Sequence, residues 1–202
     1  MNTNYKSFAL ALLFSTAALP AMAEVFYGAL DLGQSTAKDA CNISGLPAGS
    51  TWTGCKETAT MYRIAGGYQF APMWGAEVSY GDLGKASLGS GVVFGIPVSG
   101  DYESSGIQIS ATGTFPLGDA FSLIGKLGIA RTDVKVSASG AGISASQSDT
   151  TTNLAYGIGA QYDFTKTVAV RAQYEDLGTV GNDNTTGTAK VTLFSAGIVL
   201  KF

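Results

Sequence analysis

The chain of 202 residues contains no histidine. That excludes Ser-His-Asp and Cys-His chemistry and histidine-ligated metal sites. Charge is scarce: Asp, Glu, Lys and Arg make up 13% of the residues, about half the usual share. The net charge is −3, whereas a nucleic-acid partner calls for a basic face, so none is expected. There are only 2 cysteines and 5 prolines. Beyond residue 23 no apolar run is long enough to cross a membrane as a helix.

Glycine and aromatic residues are plentiful, with Gly 27, Phe 10 and Tyr 9. The N-terminus carries Lys6, then an apolar run from Phe8 to Leu19, then Pro20 and the small-x-small stretch Ala21-Met22-Ala23. This is the pattern of a Sec signal peptide over residues 1–23, with the mature chain at 24–202. A retained anchor is the alternative, and the cleavage site opposes it. Removing the segment takes away Lys6 and no acid, moving the net charge from −3 to −4.

Eight segments of the mature chain alternate with period two, the strand signature. They run over Val25–Gln34, Thr58–Phe70, Met73–Lys85, Ser104–Phe115, Ala120–Ser137, Thr150–Phe164, Thr167–Leu177 and Ala189–Phe202. One face of each is large and apolar; the other is mostly Gly, Ala, Ser, Thr and Gln with a few charges. Long connections are expected over Ser35–Glu57, Ala86–Glu103, Ala138–Asp149 and Gly178–Thr188, and tight turns between the remaining pairs. Alternating long and short connections, an even strand count and ~9–11 residues per strand fit a membrane barrel. Aromatics gather near the short turns: Phe70, Trp74, Phe115, Phe121, Tyr162, Phe164 and Phe202. They form an interfacial girdle. A secreted sandwich would place large residues in mid-strand instead. The predicted fold is all-β: an eight-stranded antiparallel up-and-down transmembrane β-barrel.

The last segment pairs with the first in this reading, closing the ring. Phe194, Ala196, Ile198, Leu200 and Phe202 face lipid, and Ser195, Gly197 and Lys201 face inward. The inward faces also gather Asp31, Arg63, Glu77, Lys126, Arg171 and Glu175 at neighbouring levels. Charges in a confined interior need partners. Two readings follow: a salt-bridge plug, or a gate in which Arg63 or Arg171 exchanges between Glu77 and Glu175. Cys41 and Cys55 are expected to form a disulfide, because exported chains form them; too few ligands stand nearby for a metal site. Glu175 and Asp176 are neighbours in a strand and point to opposite faces, so they share no acid–base site. Asp82 and Asp176 read as hydrated strand ends rather than metal ligands.

Several stretches resemble the OmpA-like eight-stranded outer-membrane barrels, including their small opacity-type members. They are Val25-Phe26-Tyr27-Gly28-Ala29-Leu30-Asp31-Leu32-Gly33, Gly67-Tyr68-Gln69-Phe70, the repeated Tyr80-Gly81-Asp82-Leu83-Gly84 and Tyr174-Glu175-Asp176-Leu177-Gly178, and the terminal Phe202. The resemblance implies the outer membrane of a Gram-negative bacterium. It also implies that the alternation Phe194, Ile198, Leu200, Phe202 is read by the barrel-assembly machinery. Larger relatives carry a periplasmic peptidoglycan-binding domain, which this sequence does not extend to. With no nucleophile–base pair available, neither an enzyme nor a cofactor is expected. The expected function is a structural or surface-interaction role. The barrel would sit in lipid and lipopolysaccharide as a monomer and meet host or cell-surface ligands through its outer loops. The alternative is a narrow porin-like pore with a charge-gated lumen. A carrier of apolar ligands would need an apolar lumen, which the polar inner face opposes.

Overall fold

A computed structural model describes residues 25–41, 51–93, 95–182 and 187–202. The expected signal segment, 1–23, lies outside them. The described residues form nine strands: β1 Val25–Lys38, β2 Thr51–Thr53, β3 Thr58–Gln69, β4 Trp74–Val93, β5 Ile96–Pro116, β6 Phe121–Gly140, β7 Ile143–Asp163, β8 Val168–Asn182 and β9 Gly187–Lys201. Eight of them close a ring in the order β4-β3-β1-β9-β8-β7-β6-β5, with β5 returning to β4. Every pairing is antiparallel. The first and last strands join from Tyr27↔Lys201 to Lys38↔Lys190, and the Phe202 N–H donates to the Phe26 carbonyl at 2.8 Å.

The alternation seen in the sequence becomes an outside and an inside. Phe26, Leu30, Leu32, Ile64, Ile109, Leu127, Ile158, Phe194, Ile198 and Leu200 are all exposed. An exposed apolar belt of this extent needs an apolar solvent. The aromatics near the short turns rim it on one side. Tyr62, Tyr80, Tyr156 and Tyr174 rim it on the other, a second girdle beyond the one expected from the sequence. Tyr62 and Phe70 are eight residues apart on one strand run, so the belt is ~20 Å tall at ~3.3 Å per residue and a tilt near 40°.

The long connections expected on the outer side are largely strand. β4 and β5 stay paired up to Val93↔Ile96, and β6 and β7 up to Gly140↔Ile143. Their Ser, Gly and Ala content looked like loop, yet cross-strand pairing holds it extended; tertiary context overrides propensity here. β4 to β7 therefore rise past the belt as a raised sheet, while the wall of β1, β3, β8 and β9 stays lower. Within the expected long loop before β3, residues Thr51–Thr53 pair with β4 (Thr51↔Val92 to Thr53↔Ser90). The Cys41–Cys55 disulfide closes this loop. A loop of that size stabilises by roughly 3 kcal/mol in the chain-entropy account.

Candidate functional site: the lumen and its charge ring

Six charged side chains from five strands meet at mid-height inside the barrel. Asp31 comes from β1, Arg63 from β3, Glu77 from β4, Lys126 from β6, and Arg171 and Glu175 from β8. They form a closed ring of alternating sign. Arg63 Nε lies 3.1 Å from Asp31 Oδ2, and Arg63 Nη1 lies 2.5 Å from Glu175 Oε1. Lys126 Nζ spans Glu175 Oε2 at 3.1 Å and Glu77 Oε1 at 2.8 Å. Arg171 completes the ring, with Nη1 2.5 Å from Glu77 Oε2 and Nη2 2.8 Å from Asp31 Oδ2. Three acids and three bases cancel, and none of the side chains is more than 3% exposed. Burial of such charges is tolerated only with this degree of pairing.

Neutral groups take up the remaining hydrogen-bonding capacity. Tyr27 donates its hydroxyl to Glu77 Oε2 at 3.0 Å, and Gln108 Nε2 donates to Glu175 Oε2 at 3.1 Å. Arg63 Nη2 donates to Ser195 Oγ at 3.4 Å. The Gln173 amide oxygen accepts from Arg63 Nη2 at 3.2 Å and Arg171 Nε at 2.9 Å. Of these four residues only Ser195 is named as inward in the sequence-based expectation; Tyr27, Gln108 and Gln173 are not. Each lies on an inward face, so the same alternation could have found them.

Small residues make the ring possible. A methyl group on Gly197 would lie 2.2 Å from Asp31 Oδ1 and 2.3 Å from the Leu30 carbonyl oxygen. One on Gly157 would lie 2.5 Å from Glu175 Cγ.

Above the ring the lumen is largely apolar, with Ser35, Ser104 and Thr132 the buried polar exceptions, contrary to the polar inner face expected throughout. Met61, Leu83, Val134, Leu177, Val180, Val191 and Leu193 are buried together with Tyr102. Leu83 and Leu177 belong to the repeated Tyr-x-Asp-Leu-Gly stretch. The ladder shifts register at each, between Asp82 and Gly84 and between Asp176 and Thr179. Gly84 and Gly178 take φ of 94° and 78°, a backbone region that favours glycine. Asp82 and Asp176 therefore sit at bulges within long strands, not at strand ends as expected. The Leu side chains at these bulges pack inside.

Below the ring a cavity of about 210 Å³ lies at the short-turn end, lined by Tyr27, Gln69, Glu77, Thr112, Gln161, Asp163, Arg171 and Lys201 among others. Lys201 Nζ pairs with Asp163 Oδ2 at 2.7 Å at its mouth. The lumen thus has three storeys: a polar vestibule, a charge ring and an apolar layer. On the raised sheet, Glu103 and Asp101 hold the exposed Lys85 ammonium above the usual lysine range, chiefly through the hydrogen bond to Glu103. No group of three His, Cys, Asp or Glu among the described residues is arranged to hold a metal ion.

The family profile described as the OmpA-like transmembrane domain matches residues 20–202. The chain belongs to the OmpA-like transmembrane domain family. Outer membrane protein A of Shigella flexneri is 31% identical over 140 residues, covering 68% of this chain and 38% of that protein. This OmpA-like barrel therefore spans well under half the length of that curated relative. Among solved structures, Ail of Yersinia pestis, crystallised with the heparin analogue sucrose octasulfate, superposes with a TM-score of 0.55. It is 18% identical and covers 90% of this chain and 100% of its own. Neisserial surface protein A gives a TM-score of 0.54 at 19% identity, with 88% and 97% covered. At such identities the likeness carries the fold. The belt, the ring closure and the family together place this OmpA-like barrel in the outer membrane of a Gram-negative bacterium.

Proposed function

We propose that the protein is a monomeric membrane-anchored surface-interaction module in which the barrel holds the raised sheet of β4 to β7 clear of the lipid. The observation carrying this reading is the height of that sheet. Four strands of 20 or 21 residues stand beside barrel strands of 12 to 15. Along residues 143–149 of β7, no further strand pairs with the edge among the described residues: the ladder to β8 runs only from Tyr156 to Asp163. Exposed hairpins on a rigid scaffold suit recognition. The partners are host or cell-surface ligands at the hairpins and lipopolysaccharide around the wall. No reaction is assigned, since a chain without histidine offers no nucleophile–base pair of the usual kind.

The largely apolar layer over the charge ring argues against the pore reading, because water crossing it would meet few hydrogen-bond partners, chiefly the Ser35, Tyr102, Ser104 and Thr132 hydroxyls. Residues 1–23 serve as the export signal, and Phe194, Ile198, Leu200 and Phe202 serve as the signal to the barrel-assembly machinery. The test replaces the upper hairpins, residues 87–101 and 138–149, with two-residue turns. The shortened protein is expected to keep its heat-modifiable migration and to lose adhesion of the expressing cells. Adhesion that survives both replacements contradicts the reading.

A further inference from the structure

The repeated Tyr-x-Asp-Leu-Gly stretch forms two equivalent stations on opposite sides of the ring, at the outer edge of the belt. Asp82 Oδ1 accepts the Gly84 N–H at 2.8 Å, and its Oδ2 accepts the Tyr62 hydroxyl at 2.8 Å. Asp176 Oδ1 accepts the Gly178 N–H at 2.9 Å, and its Oδ2 accepts the Tyr156 hydroxyl at 3.0 Å. The correspondence holds at one constant spacing. Tyr62, Ile64, Tyr80, Asp82, Leu83 and Gly84 answer to Tyr156, Ile158, Tyr174, Asp176, Leu177 and Gly178.

The stations differ in one respect. At the second, Lys190 of β9, opposite Thr179, places its ammonium 2.8 Å from Asp176 Oδ2. At the first, the corresponding position is Glu103 of β5, opposite Lys85 and paired with that lysine at 3.1 Å. Among the described residues no cation pairs with Asp82.

The groove beside Asp82 is amphipathic. Below it a depression of about 300 Å³ is lined by Leu30, Leu32, Tyr62, Ile64 and Tyr80 on the lipid-facing wall. Above it a cleft of about 620 Å³ is lined by Lys85, Glu103, Asp133 and Lys135 among others. Tyr62, Tyr80 and Asp82 belong to both.

We propose that this groove binds an outer-leaflet lipid whose headgroup carries a primary ammonium, which donates to Asp82 while an acyl chain lies in the depression. The molecule itself shows what an aspartate in this setting holds: at the second station it is the ammonium of Lys190. The apolar lower half, facing the bilayer, makes the occupant a lipid rather than a soluble amine. A quaternary ammonium has no N–H to donate and fits less well.

The test uses the folded barrel in phosphatidylglycerol nanodiscs doped equally with phosphatidylethanolamine and phosphatidylcholine, with retained lipid read by native mass spectrometry. Phosphatidylethanolamine is expected to be retained about threefold over phosphatidylcholine, the scale of an exposed ion pair. Asp82→Asn abolishes that preference, and Asp176→Asn keeps it. Glu103→Lys supplies the cation from within the chain and abolishes the preference with Asp82 intact. Heat-modifiable migration confirms that each variant is folded. Equal retention of the two lipids by the wild type overturns the proposal, as does a preference that survives either Asp82→Asn or Glu103→Lys.

Discussion

Arg171 is the residue on which the interior depends most directly. It bridges Asp31 and Glu77, both buried. Removing one partner of a buried pair leaves uncompensated charge, at a cost of about 3–5 kcal/mol. Arg171→Ala is therefore expected to lower the reversible urea-unfolding free energy in lipid vesicles by that amount. Tyr27→Phe, which removes one neutral donor to Glu77, should cost only about 1–3 kcal/mol. Equal losses for the two would contradict the ring as the dominant internal contact. Gly197→Ala makes a steric test. Its methyl group would meet backbone oxygen of Leu30 as well as the Asp31 carboxylate, so a variant that folds as readily as wild type contradicts the close approach of β9 to β1.

At the scale of elements, two features separate wall from ornament. The Cys41–Cys55 bond closes the loop that carries β2, while the barrel ladder is complete without it. Reduction is expected to expose residues 51–57 to protease and leave heat-modifiable migration unchanged; a barrel that unfolds on reduction contradicts this division. Deleting Phe202 removes the N–H that donates to Phe26 and the last outward aromatic. Assembly in cells should fall, and undiminished surface levels of that variant would count against an assembly role. Lys85 adds a pH-dependent contact on the raised sheet. Its pKa is raised by Glu103 and Asp101, so its contribution is complete below the ordinary lysine value of about 10.4 and fades as pH rises through the raised one.

Over the whole molecule, period-two alternation made the belt, the strand count and the closing pair legible, because each strand has one face in lipid and the other in the lumen. The six ring residues were legible by the same rule. What the alternation could not give was the lumen's division into storeys. The outer strand halves keep the period but become largely apolar inside, and two bulges at Leu83 and Leu177 shift the register. The upper hairpins were hidden for a different reason. Stretches such as Ser137–Gly140 and Ile143–Ser148 have weak strand composition and are held extended only by their partners across the sheet.

On the proposed reading, a largely apolar layer above a closed charge ring leaves a barrel that holds its sheet at the surface and passes no ions. Single-channel recording of the purified full chain in a planar bilayer tests this most directly. A flat baseline, unchanged by Glu77→Ala, is the expected result. Discrete current steps in the wild type that disappear or change size in Glu77→Ala would contradict it.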